Sequence, residues 1–245
     1  MKTRSRFALE APPAADGIAR VTGAEAHHMR DVMRIAPGET ITLLDANGLE
    51  YSASLERYSR AGAELRIIAT RQAPPRARLI LAQAIIKGPR MDFVIEKAAE
   101  LGATELWPII CARGLVRAPG AERHARWNRL ALAASKQCIL APPMRVREAI
   151  DFRGLIGDAP HQTLSESCRL ICVAGAEPIG AILERAKPGA MLIAIGPEGD
   201  FDSNELAAAS AAGFVAVGLG PARLRSETAA LAALAIAGQF LARGV

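Results

Sequence analysis

What this chain lacks narrows its class before any motif is considered. No window of the 245 residues approaches the roughly 20 consecutive apolar residues of a membrane-spanning helix, so no membrane is expected as a partner. The start, Met1-Lys2-Thr3-Arg4-Ser5-Arg6-Phe7, is basic, but Glu10 and two prolines follow where a signal peptide carries its apolar run. Cysteine is sparse. Cys111, Cys138, Cys168 and Cys172 stand apart in apolar segments, without the close pairing with histidine that zinc sites show. Reduced core thiols in a soluble, cytoplasmic protein are the expectation, with no metal. Two nucleotide fingerprints are also missing, Gly-x-Gly-x-x-Gly after a first strand and Gly-x-x-x-x-Gly-Lys-Ser/Thr. Their absence argues against an ordinary dinucleotide dehydrogenase or nucleotide hydrolase. Low-complexity tracts and internal repeats are absent as well, the alanine richness of Leu206–Ala212 and Ala229–Ala237 being ordinary close helix packing.

What is present suits one large or two modest domains, since 51% apolar residues is ample for a sizeable core. The formal charge of +5 is unevenly spread: residues 1–73 carry a net +1, residues 74–160 a net +6 and residues 161–245 a net −2. Basic charge concentrated in the middle third, with Lys2, Arg4 and Arg6 at the amino end, favours a polyanionic partner. Nucleic acid comes before membrane because no amphipathic basic helix with a bulky apolar face accompanies the charge. The competing reading is a merely solvated charged face.

Residues 4–72 read as short strands around one helix. Thr22-Gly23-Ala24-Glu25 has the spacing of a capping box, and Ala26, Met29, Val32 and Met33 then share a helical face that ends near Arg34, before Pro37-Gly38. Thr40–Asp45 and Leu49–Arg57 flank Ala46-Asn47-Gly48, where Asn-Gly supplies the positive φ angles of a tight hairpin turn. With Ala63–Thr70 they predict a small β-rich domain over residues 1–72, a barrel or strongly curled sheet. His27 and His28, adjacent on a helix, point about 100° apart and suit one packed and one exposed ring better than a shared ligand.

Consecutive prolines at Pro74-Pro75 resist helix and central strand alike and mark a boundary. From residue 76 to residue 245 the pattern changes to apolar strand-like runs alternating with helical ones. The runs are Leu79–Ile86, Met91–Leu101, Glu105–Ile110, Glu122–Cys138, Leu170–Ala174, Ile179–Ala186, Met191–Ile195, Asn204–Ala212, Phe214–Leu219 and Ser226–Ala242. Short continuous apolar strands between helices imply an α/β domain whose parallel sheet is covered on both faces.

Ligands bind in the crevice beyond the carboxyl ends of such strands. Two strands here end in glycine turns that open helices, Gly196-Pro197-Glu198-Gly199 and Leu219-Gly220-Pro221. Asp202 and Glu205 have capping-box spacing, and Ser226 can cap the last helix while Arg223 and Arg225 stand just outside it. Two arginines at an exposed helix start are costly unless an anion or carboxylate answers them. Lys87-Gly88-Pro89-Arg90 brings two cations to the end of the domain's first strand and could hold phosphate; a salt-bridged helix face fits these residues, with Lys97 and Glu100, equally well. Trp127, among Arg123, Arg126 and Arg129, is more readily a core anchor than a base-stacking platform.

These residues resemble a known family. Ile195-Gly196-Pro197-Glu198-Gly199, Leu219-Gly220 and Leu224-Arg225-Ser226-Glu227-Thr228-Ala229 are similar to the carboxyl-terminal motifs of RsmE-type methyltransferases, which methylate N3 of a uridine in 16S ribosomal RNA. Upstream, His27-His28-Met29-Arg30-Asp31-Val32-Met33-Arg34 with Pro37-Gly38 looks like the family's amino-terminal signature. Lys87 through Glu96-Lys97-Ala98-Ala99-Glu100-Leu101-Gly102-Ala103 looks like its central one. The resemblance runs in order over nearly the whole chain. It implies a small PUA-like β-barrel domain (residues 1–72) for RNA binding, then an α/β SPOUT domain (residues 76–245) with a parallel sheet and a carboxyl-terminal trefoil knot, which general rules of chain topology would have excluded. It also implies S-adenosylmethionine as cofactor, 16S ribosomal RNA or the small ribosomal subunit as partner, and a homodimer in which both subunits contact RNA. Departures from the family pattern are Asp200 for a usual glycine, Ser226 for a usual threonine, and Ile139-Leu140 after Gln137-Cys138 where arginine is frequent.

By that resemblance Arg225 and Glu227 are the candidate catalytic residues, one stabilising charge on the base carbonyls and the other positioning that arginine or relaying a proton. Ile195, Gly196, Pro197, Glu198, Gly199, Leu219, Gly220, Leu224 and Thr228 are the cofactor candidates. Arg6, His28, Arg34, Lys87 and Arg90 are candidates for the RNA backbone. The alternatives are another knotted RNA methyltransferase, such as one for ribose 2′-O, a non-catalytic ribosome-assembly protein of the same fold, and a metabolic α/β enzyme for an anionic metabolite.

Overall fold

The computed structural model describes residues 5–45, 47–72, 76–114, 119–140, 142–157 and 168–242. The boundary prolines 74 and 75, Lys2 and Arg4 lie outside them. The chain forms two compact units, one of residues 1–75 with 135–143, the other of residues 76–134 with 144–245. No shift in composition announces that residues 135–143 group with the first.

In the first unit, β1 (Arg6–Leu9), β2 (Ile18–Val21), β3 (Thr40–Asp45), β4 (Leu49–Ser59) and β5 (Gly62–Gln72) make one sheet in the order β1-β3-β4-β5-β2. Every pair is antiparallel except β1 with β3. The two outer strands approach each other, so the sheet curls toward closure around Phe7, Leu9, Ala19, Val21, Leu43 and Leu65. Burying each large side chain contributes about 1.5–3 kcal/mol, and alternation along β3 and β4 directs them to this one core.

Three local readings are corrected here. Thr22 precedes α1 (Gly23–His27) but makes no side-chain cap, and the Glu25 carboxylate accepts a hydrogen bond from the Ala8 amide at 2.9 Å instead of reaching back to Thr22. The chain then continues as a single π turn over His28–Val32. His27 and His28 are both exposed, although the His28 ring lies edge-on to Phe7 with 5.8 Å between centroids. In the hairpin, Gly48 takes the positive φ of 83° while Asp45 organises the turn, accepting from the amides of Asn47 and Leu49 at 2.9 Å each.

The second unit is built on β6 (Leu79–Ala84), β7 (Glu105–Ile110), β8 (Arg145–Val146), β9 (Ile150–Asp151), β10 (Cys168–Cys172), β11 (Met191–Ile195) and β12 (Val215–Val217). Their order is β12-β10-β11-β6-β7-β8, with β9 also pairing β7, and every ladder is parallel. Between the strands run α2 (Pro89–Glu100), α3 (Ala121–Gln137), α4 (Phe152–Ile156), α5 (Ile179–Ala186), α6 (Ser203–Ala211) and α7 (Ser226–Ala242). The central strands alternate faces. Leu79, Leu81, Ile193 and Ile195 join a core with Val94 of α2, Trp127 of α3, Leu183 of α5 and Leu234 of α7. Ile80, Ala82, Leu192 and Ala194 join Phe152 and Leu155 of α4 and Ala209 of α6. Both faces are therefore covered, as continuous apolar strands require.

Candidate active site

Three parallel strands, β10, β11 and β12, end at one cavity of about 430 Å³, and the start of α7 closes it. That volume lies in the range of small-molecule sites. The walls follow from the strand ends: Cys172 and Val173 after β10, Ile195 through Glu198 after β11, Leu219 and Gly220 after β12. Leu224, Arg225 and Ser226 then bring the chain into the last helix.

A buried polar chain locks these walls together. Ser226, only 6% exposed, donates from Oγ to the Gly196 carbonyl at 2.6 Å and accepts from Gln83 Nε2 at 2.9 Å. The Ser226 hydroxyl thus ties α7 to the ends of β11 and β6 instead of capping its helix. Gln83 itself is fully buried, donates also to the Ala84 carbonyl at 2.9 Å, and leaves its Oε1 without a partner. The Asp202 and Glu205 box is present in full: Asp202 Oδ1 accepts from the Glu205 amide at 2.7 Å, and Glu205 Oε2 accepts from the Asp202 amide at 2.9 Å. The other Glu205 oxygen accepts from the Ala112 amide at 2.8 Å, so the cap of α6 also anchors the loop after β7.

The glycine of the first turn answers to packing. A Cβ on Gly196 would lie 3.2 Å from the Phe201 ring, which packs on Phe152 in the core. Asp200, in the same turn, holds φ at +62°, a left-handed value that glycine adopts freely and aspartate tolerates. Its Oδ1 accepts from the Phe201 amide at 3.0 Å.

Charges around the cavity are unequally answered. Arg90 Nη2 lies 3.0 Å from Glu198 Oε1, and Arg90 Nη1 lies 3.9 Å from Glu227 Oε2. The second carboxylate oxygen is buried and accepts no hydrogen bond. Glu227 thus stands beside Arg90, not Arg225. Arg223 and Arg225 line the cavity exposed and have no ion-pair partner among the described residues. Burial pushes the Cys172 thiol up to about 12, so at neutral pH it is an inert part of the wall.

Of the residues singled out in the sequence, the cavity brings together Ile195, Gly196, Pro197, Glu198, Leu219, Gly220, Leu224 and Arg225. Gly199 stands just outside, where Arg113 donates to its carbonyl at 3.2 Å. Thr228 points to solvent. Arg90, expected at an RNA backbone, is in the cavity wall, while Lys87 is exposed and unpaired among the described residues. Arg6, His28 and Arg34 belong to the first unit. Arg6 is held by Glu50, whose other oxygen accepts from Arg71 at 2.7 Å, whereas Arg34, at φ +52°, is exposed and unpaired among the described residues. The sequence reading missed Cys172 to Ala174, whose signal was the glycine at position 175 ending a third apolar run, and it named Asp200 and Arg223 without placing them among the cofactor candidates.

Residues 73–238 match an RNA methyltransferase domain and residues 21–68 an RNA methyltransferase PUA domain. The chain is 32% identical to ribosomal RNA small subunit methyltransferase E of Mycobacterium bovis, over 97% of its own length and 92% of the relative's. A crystal structure of the corresponding Neisseria gonorrhoeae protein bound to S-adenosyl methionine is 34% identical, with a TM-score of 0.73 over 95% of this chain and 96% of that one. A probable rRNA-methyltransferase from Porphyromonas gingivalis is 30% identical, with a TM-score of 0.73 over 98% and 99%. Matched in both domains and along nearly its whole length, the chain belongs to the ribosomal RNA small subunit methyltransferase E family.

Proposed function

We propose that this protein transfers a methyl group from S-adenosylmethionine to N3 of a uridine in 16S ribosomal RNA. The observation that carries the reading is the cavity itself: walls of the family's carboxyl-terminal motifs, with two unanswered arginines at the start of α7. Its residues fit the cofactor. Ile195, Leu219 and Leu224 offer apolar surface for an adenine ring, and the turn at Gly220, with φ at +117°, presents backbone polar groups. When bound, the cofactor supplies an electrophilic methyl on a sulfonium.

Uridine N3 carries a proton and attacks only as that proton leaves. Arg225, exposed and unpaired among the described residues, stabilises the negative charge that spreads onto the base carbonyls. Glu227, behind the cavity lining with an unfilled buried oxygen beside Arg90, relays the proton. The N3–carbon bond forms as the carbon–sulfur bond breaks, and its electron pair stays on sulfur. Extruding the base from a structured RNA costs a few kcal/mol, which Arg34, His28 and Lys87 offset through phosphate contacts in this reading. The cytoplasm, where its ribosomal RNA substrate would be found, is the proposed site of action. A homodimer is part of the proposal, as is passage of the chain end through a knotted loop.

The test is Arg225→Ala. S-adenosylmethionine binding measured by calorimetry should persist while methyl transfer to 16S ribosomal RNA falls about 100-fold or more, the scale of losing one charge-stabilising donor. Full transfer in that variant would remove Arg225 from the mechanism.

A further inference from the structure

Two acidic side chains line the cavity, and they are in different situations. Glu198 is neutralised by Arg90 at 3.0 Å. Asp200 is half-buried and has no cation beside it among the described residues. One of its oxygens is taken by the Phe201 amide, which leaves the other for a ligand. The residue is also held at φ +62°, and a non-glycine residue kept in the left-handed region at a cavity wall is a pointer toward function. Arg223 lines the same cavity as an exposed guanidinium without a carboxylate. An unanswered carboxylate and an unanswered guanidinium in one cavity suit a ligand that carries both opposite charges. An α-amino acid zwitterion is such a group.

We propose that Asp200 binds the α-ammonium, and Arg223 the α-carboxylate, of the amino-acid end of the cofactor. This rests on the S-adenosylmethionine reading of the cavity. It makes Asp200 an affinity determinant that acts on substrate cofactor and demethylated product alike, because both keep the zwitterion and differ at sulfur. The carboxylate does not read the sulfonium.

Titration calorimetry on the full chain with three ligands tests this: S-adenosylmethionine, S-adenosylhomocysteine and 5′-methylthioadenosine, which lacks the amino-acid end. Asp200→Asn keeps a residue that tolerates left-handed φ and an oxygen for the Phe201 amide, while removing the charge. It should weaken the first two ligands by about tenfold, the scale of one charge-assisted hydrogen bond, and leave methylthioadenosine unchanged. Arg223→Gln should show the same selectivity. Asp200→Gly, the residue type that φ favours, provides the control for strain and should lose the same affinity. Unchanged S-adenosylmethionine binding in Asp200→Asn, or equal weakening of all three ligands, overturns the proposal. Loss confined to S-adenosylmethionine assigns Asp200 to the sulfonium and overturns it too. Wild-type protein that binds none of the three would instead overturn the cofactor reading on which it rests.

Discussion

A single methyl group separates a tolerated from an excluded residue at one strand end beside the cavity wall. At Gly218, just after β12, an added Cβ would lie 2.4 Å from the Ala176 carbonyl oxygen, and both neighbours are backbone held by the Pro178–Gly218 bridge. Nothing flexible can give way. Gly218→Ala should therefore destabilise the protein by about 2–3 kcal/mol, read as a lower midpoint in denaturant with an unchanged slope. A wild-type midpoint would mean that the turn relaxes freely. Gly196 is a milder case, because the Phe201 ring that its Cβ would meet at 3.2 Å can shift by a few tenths of an ångström. The sequence places Gly196 in a turn at an expected ligand crevice. The structure shows that Gly196 is small because an aromatic core residue lies against it, a contact between positions five apart that no local pattern displays.

At the scale of elements, the parallel sheet is tied at its lower edge by a charged cluster. Glu105, 8% exposed at the start of β7, accepts from Arg78 at 2.8 Å, Arg147 at 2.7 Å and the Trp107 indole at 3.1 Å. Burial acts to raise its pKa, but these three hydrogen bonds prevail and hold the carboxyl below the ordinary glutamate value. A carboxylate with a depressed folded-state pKa contributes stability that is fully present above the unfolded-state value and is lost as pH falls through the folded-state value. Glu105→Gln should cost about 2 kcal/mol at pH 7 and reduce the loss of stability on acidification below the ordinary glutamate range. Parallel pH–stability curves for variant and wild type would show that the cluster is not linked to folding. The strand and helix pattern itself was largely legible. Ile179–Ala186, Met191–Ile195 and Ser226–Ala242 form as the periodicity predicts. The two-residue strands β8 and β9 and the short helix α4 escaped, since elements this short carry no period and exist through pairing with β7 or packing in the sheet's second core.

Across the whole molecule, the basic middle third proves less available than its count suggests. Arg78 and Arg147 are spent on Glu105, Arg90 on Glu198, Lys97 on Glu96 and Glu100, Arg126 on Asp92, and Lys136 on Glu10. Lys87, Arg123, Arg129, Arg145 and Arg153 remain unpaired among the described residues. In the first unit Arg34 is likewise unpaired, next to the exposed Val32 and Met33. Arg34→Ala should weaken binding of 16S ribosomal RNA and lower the slope of log K against log salt by about 0.7–0.9 in magnitude, one phosphate contact. Arg6→Ala should leave that slope unchanged, because the guanidinium is already committed to Glu50. The reverse result would exchange their roles.

By itself the sequence determined the class of each half, the alternation that covers both faces of the parallel sheet, the capped start of α6 and the motifs that make up the cavity wall. These are local properties, written in spacing and residue type. Only the tertiary structure decided which charges remain free and which glycines are sterically required. It also turned the Ser226 hydroxyl to Gln83 and Gly196, and set Glu227 beside Arg90. Such pairings join residues as far as 143 positions apart. They follow from strand order, in which β11 lies between β6 and β10, and not from distance along the chain.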